Sequence, residues 1–114
     1  MPSHDFTRAD RISAELRRLI GAMVHEAVRD HALPSVSVSD VEVTKDFDMA
    51  TVYVTALLPD TAKDAVKSLN EMAKEFRHQL SQVMRMRRVP ELRFRYDDSV
   101  DRGERIDELL RGKP

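Results

Sequence analysis

Five arginines, Arg85, Arg87, Arg88, Arg93 and Arg95, fall within eleven residues, with Glu91 as the single carboxylate among them. Guanidinium groups at this density suit phosphate, because each presents a planar fork of donors that stays charged. Such contacts supply affinity without reading a base sequence. On charge alone a second use is equally good: cations near the end of a helix complement its dipole and solvate it. Density favours phosphate. Lys74 and Arg77 sit on the helical stretch that leads into the run and would extend the patch. Arg8, Arg11 and Arg18, near the start of the chain, matter only if they face the same partner.

The net charge of −1 conceals this block. Residues 1–73 carry 8 Lys and Arg against 12 Asp and Glu, residues 74–95 carry 7 against 2, and residues 96–114 carry 4 against 6. Only the middle block has the positive excess that makes a local field for anions.

Other chemistry is poorly supplied. The three glycines are Gly21, Gly103 and Gly112, so residues 22–102 hold no glycine-rich phosphate loop or dinucleotide fingerprint. His4, His25, His31 and His78 are scattered, none paired with another His at helical spacing as a metal face requires; surface positions are expected for them. Asp97 and Asp98 adjoin and would point to opposite sides of an extended chain, which suits a turn or cap better than a catalytic dyad. No cysteine is present, which excludes disulfides, thiolate metal sites and cysteine nucleophiles. A small hydrolase is the least favoured function, since no nucleophile and base stand at a recognisable spacing. No metal and no cofactor are expected, nor a small-molecule substrate. With no membrane-length apolar run, and none of signal-peptide type from Met1 to Arg11, a cytoplasmic protein is expected.

The elements that must position these residues follow from periodicity. Ile12, Leu16, Leu19, Ile20, Met23, Val24, Ala27 and Val28 recur at spacings of three and four and predict a first helix, with Thr7 as N-cap and Asp10 three residues on. Pro34 ends that region. From Ser35 the period is two: Val36 and Val38, then Val41 and Val43 in the opposite phase, which asks for a bulge near Ser39 and Asp40. Asp46 and Asp48 supply turn chemistry, and Ala50, Val52, Val54 and Ala56 line one face of a second strand, with Thr51, Tyr53 and Thr55 on the other. Tyr53 fits a half-buried sheet residue better than a base-stacking one, and the methionines fit core filling better than a binding surface.

The second helical stripe runs through Ala62, Val66, Leu69, Ala73, Phe76, Leu80, Val83 and Met84. A straight helix from Thr61 to Met86 would be about 39 Å long, against about 30 to 35 Å for a domain of this size, so a bend is predicted. Pro90 closes the stretch; Leu92, Phe94 and Tyr96 alternate with Arg93 and Arg95 as a third strand, and Ile106, Leu109 and Leu110 mark a last amphipathic turn or two. The order argues one α+β domain over residues 1–114, helices on one face of a three-stranded sheet, with about 1–6 and 111–114 fraying.

With these residues in view the chain resembles the ribosome-binding factor A family of bacterial small-subunit assembly factors over nearly its whole length. The likeness rests on Arg8 and Arg11 leading into the first helix, on Val41, Glu42, Val43 and Asp46, and on Ala50, Val52, Tyr53 and Val54. Its most specific piece is the run from Met84, Arg85, Met86, Arg87, Arg88, Val89 and Pro90 to Phe94, followed by Tyr96, Asp97 and Ser99. The resemblance implies a type II KH-like fold of order α-β-β-α-kink-α-β, in which an Ala-any-Gly bend stands in for the GxxG loop. That bend would fall at Met72, Ala73 and Lys74, with Lys where the family has Gly. Asp30, His31 and Ala32 stand in place of the family's Asp-Pro-Arg.

It further implies a factor that binds the small (30S) ribosomal subunit near the 5′ part of its ribosomal RNA, acts in late maturation and in processing of the 16S RNA, and matters at low temperature. On this reading the chain is not an enzyme and is a monomer when free. Arg85, Arg87 and Arg88 hold phosphates, with Arg8, Arg11, Lys45, Lys74, Arg77, Arg93 and Arg95 as further RNA contacts. The alternative is a protein-interaction module that uses a strand edge or the apolar tail.

Overall fold

The structure, a computed structural model, describes residues 7–30, 32–84, 86 and 88–98. Helix α1 spans Arg8–Arg29, strands β1 and β2 span Val36–Val43 and Met49–Ala56, a 3-10 turn covers Pro59–Thr61, helices α2 and α3 span Ala62–Glu71 and Ala73–Val83, and β3 spans Glu91–Tyr96. Arg85, Arg87, His31 and the segment with Ile106, Leu109 and Leu110 lie outside the described residues.

Helix α1 starts on a complete capping box. Thr7 Oγ1 accepts from the Asp10 N–H and Asp10 Oδ2 accepts from the Thr7 N–H, both at 3.1 Å, an arrangement worth about 1 kcal/mol. Its predicted stripe is the face that is buried: Leu16, Ile20, Val24 and Ala27 are in the core, and Ile12, Leu19, Met23 and Val28 pack at its margin.

The sheet order is β1-β2-β3. Strands β1 and β2 are antiparallel, and their register shifts between Val38 and Asp40, so Ser39 is the extra residue and the valines on both sides of it turn toward the core. Strands β2 and β3 are parallel. A parallel pair needs a crossover, and α2 with α3 supplies it. The helical path breaks at Met72 (φ −90°, ψ −3°), which caps α2 and opens α3. Among the described non-glycine residues only Phe47 has positive φ, so this bend needs no left-handed residue and a lysine at position 74 is compatible with it.

Ala50, Val52, Val54, Leu69, Phe76, Leu80, Leu92 and Phe94 fill the layer between sheet and helices, and Phe76 meets Phe94 edge-on with ring centroids 5.9 Å apart. Two features depart from the predicted stripe. Val83 is 61% exposed, and Ala65, which the stripe omits, is fully buried. For Val83 the cause is the exit from α3: the chain turns extended at Met84 (φ −88°, ψ 133°), and Met84 follows Leu80 into the core in place of Val83. Ala65 lies on the buried face of α2 with Ala62 and Leu69. The architecture is the α+β, type II KH-like one, with helices on one face of a three-stranded sheet. No helix among the described residues is long and apolar enough to cross a membrane.

Candidate nucleic-acid interface

Basic residues from three distant parts of the chain meet at the β1–β2 turn. The turn is built by its own hydrogen bonds: the Phe47 N–H donates to Thr44 O and the Thr44 N–H to Met49 O, both at 2.9 Å, while the Met49 N–H donates to Thr44 Oγ1 at 3.1 Å. Asp46 Oδ1 accepts from Thr44 Oγ1 at 2.7 Å and from the Asp48 N–H at 3.1 Å. These bonds, the Thr44 hydroxyl first, hold the Asp46 carboxyl below its ordinary value of 3.8. Lys45 projects from this turn, exposed.

Arg8 reaches the turn from the first position of α1, its guanidinium carbon lying over the Phe47 ring 5.5 Å from the centroid. Arg88 reaches it from the segment after α3 and pairs with Asp48, while the Glu91 N–H donates to Asp48 O at 2.9 Å and fixes the start of β3 against the same turn. Arg11 lies one turn along α1 from Arg8 and lines a groove with Ile12, Glu15, Val83, Met84 and Met86. Met86 sits between the two arginines that fall outside the described residues. A cation at the start of a helix is opposed by the helix dipole, so Arg8 and Arg11 are placed against local preference.

The remaining predicted contacts are divided. Arg77 is half-buried and its Nε donates to Val89 O at 3.1 Å, tying α3 to the segment that enters β3. Lys74, exposed, stands one helical turn before it. Arg93 and Arg95 are exposed on the open face of the sheet, opposite the helices, beside Thr51 and Tyr53 of β2. Beyond those lie Glu42 and Asp40 of β1, so this face is basic along β3 and acidic along β1. Tyr53 is half-buried there. Arg18 pairs with Glu15 at 2.9 Å on α1. Asp97 is a structural residue: its Oδ2 accepts from Ser39 Oγ at 2.7 Å, joining the end of β3 to the β1 bulge.

Sequence reasoning misses the roles of three residues. For Asp48 it gives turn chemistry but not the Arg88 pair. Asn70 carries no periodic signal, and only contact with β3 reveals it. Phe47 adopts φ 60°, a conformation that costs a side-chain-bearing residue about 1–2 kcal/mol; an aromatic amid turn residues is the available signal.

A family model described as "Ribosome-binding factor A" matches residues 8–110. The chain belongs to the ribosome-binding factor A family. It is 60% identical over 111 residues to a ribosome-binding factor A of Xanthomonas euvesicatoria pv. vesicatoria, covering 97% of this chain and 85% of that one. To one of Stenotrophomonas maltophilia it is 57% identical over 109 residues, covering 96% and 86%. The crystal structure of ribosome-binding factor A from Thermus thermophilus superposes with a TM-score of 0.68 at 27% identity, over 79% of this chain and 97% of that one. A homology model of the Thermus thermophilus factor, fitted into a cryo-EM map of its complex with 30S, gives a TM-score of 0.64 at 25% identity over 81% and 97%. Membership of the ribosome-binding factor A family thus rests on sequence and fold together.

Proposed function

We propose that this chain binds the free small ribosomal subunit and its ribosomal RNA through the basic end of the domain, as a cytoplasmic, non-enzymatic assembly factor. Its tasks on this reading are late maturation of the 30S subunit and processing of the 16S RNA, with greatest importance in the cold, and it acts as a monomer before it docks. The observation that carries the reading is the convergence of Arg8, Lys45 and Arg88 on one turn, in a family with a member fitted into a 30S complex. Arg88 already has Asp48, so phosphates are the counter-charge for Arg8 and Lys45, which have no carboxylate partner among the described residues. Arg85, Arg87 and Arg88 are assigned the central phosphate contacts, Arg11, Lys74, Arg93 and Arg95 the outer ones.

Strand-edge recognition is the weaker alternative because both edges are blocked at their middles. The Thr44-to-Met49 and Leu57-to-Ser35 bonds set the ladder alternation that turns the Val41 N–H outward from β1, and that N–H donates to Asp40 Oδ1 at 2.8 Å. On β3 the outward groups of Phe94 are taken by Asn70. Added strands need such groups free.

The test is to reverse Arg85, Arg87 and Arg88 together to Glu and measure co-sedimentation with small subunits. The folded variant should lose most binding, and the wild type should weaken steeply with salt. Unchanged binding by the folded variant sinks the assignment.

A further inference from the structure

We propose that Phe47 is a stacking platform for a nucleobase of single-stranded RNA, presented at the basic end with the Arg8 guanidinium over its ring. The proposal rests on the RNA-binding reading above and names a mode of contact that arginines and phosphates do not provide.

The fold does not ask for phenylalanine at this position. A turn in which the Phe47 N–H bonds back to Thr44 O and the next ladder bond closes from Thr44 to Met49 needs a left-handed residue at the corner, and glycine or asparagine adopts that conformation with least strain. Among the described residues, core packing does not explain the choice either. Phe76 and Phe94 pair inside the core, whereas Phe47 belongs neither to the core cluster nor to the residues packed against it. A large aromatic is thus held half-exposed in a strained conformation.

Its surroundings point to the ligand. Arg8 lies over the ring at 5.5 Å, Lys45 is two residues away, and Arg88 is fastened to the neighbouring Asp48. With Arg8 on one face of the ring, the base takes the other face, and the neighbouring cations take its phosphates, the arrangement by which unpaired bases are held. A strained residue in a basic cluster is where the inference from outlier to function is warranted.

The chain has no tryptophan, so Phe47→Trp introduces a single fluorescent reporter at the site. A short oligoadenylate should quench it in step with binding, and inorganic polyphosphate, which has charge but no bases, should bind without quenching. In parallel, Phe47→Gly should raise the urea midpoint by relieving the backbone while weakening oligoadenylate binding about tenfold, the scale of one lost stack. Opposite signs for stability and affinity are the signature of the proposal. Oligoadenylate that binds Phe47→Trp without quenching, or Phe47→Gly that binds like the wild type, overturns the stacking role and leaves the basic surface standing. Wild-type protein that fails to bind oligoadenylate at low salt, and fails to co-sediment with small subunits, overturns the RNA reading and this inference with it.

Discussion

The side-chain amide of Asn70 satisfies both backbone groups of Phe94: Nδ2 donates to the Phe94 carbonyl at 3.1 Å, and the Phe94 N–H donates to Oδ1 at 2.8 Å. A single side chain at the end of α2 thus acts as one residue's worth of a fourth strand. Asn70→Ala leaves a partly buried donor and acceptor unpaired, and should cost about 1–3 kcal/mol in urea unfolding. Asn70→Asp keeps the acceptor but sets a carboxylate against the Phe94 carbonyl, so it should be at least as destabilising. Freed edge groups should also promote self-association, visible as concentration-dependent sedimentation. A fully stable, monomeric Asn70→Ala would show that the clamp has no role in either.

Arg77 and Arg88 should separate under mutation although both belong to the basic block. Arg77 spends its Nε on Val89 O, whereas Arg88 is an exposed cation. Arg77→Ala is therefore expected to lower stability by about 1–2 kcal/mol, and Arg88→Ala to leave the urea midpoint nearly unchanged while weakening subunit binding. Equal effects of the two substitutions on stability would contradict the division.

Asp48 holds the Arg88 guanidinium, with the two side chains 54% and 64% exposed. An ion pair this open contributes about 0–1 kcal/mol. Asp48→Asn should barely alter folding, yet it removes a carboxylate from the basic end. Subunit binding should tighten at low salt and its salt dependence should steepen as one more cation becomes available to phosphate. Weaker binding would mean that Asp48 orients Arg88 for its contact.

The periodicities of the sequence locate every described strand and the buried face of α1, because each of those elements turns one face to the common core. The length of the second helical stripe even requires the break seen at Met72. What periodicity cannot supply is phase across that break and at the exit from α3. Val83 therefore reads as core although it is exposed, whereas Ala65, at helical spacing from Ala62 and Leu69 on the buried face of α2, is a small residue the stripe passes over. Leu80→Ala should cost about 2–5 kcal/mol, Val83→Gln less than about 0.5 kcal/mol, and Ala65→Leu about 1–3 kcal/mol by overpacking. Likewise, charge density marks the arginines but cannot sort them: Arg77 is held by a carbonyl and Arg88 by a carboxylate, partners 12 and 40 residues away in the chain.

The turn that gathers the basic residues should carry an acid-sensitive share of the stability. Asp46 is the acceptor for the Thr44 hydroxyl and the Asp48 N–H, and its carboxyl is lowered from 3.8 chiefly by the Thr44 bond. A carboxyl lowered in the folded state binds its proton more readily in the unfolded chain. The contribution is thus complete above the ordinary value and is lost as pH falls through the lowered one. The difference in urea midpoint between wild type and Asp46→Ala should be constant from neutral pH down to about 4 and shrink below it. Asp46→Asn keeps the Oδ1 acceptor without its charge, so it should retain part of the stability and show none of this titration. A gap between wild type and Asp46→Ala that stays constant through the acid range would assign the stabilisation to turn geometry alone.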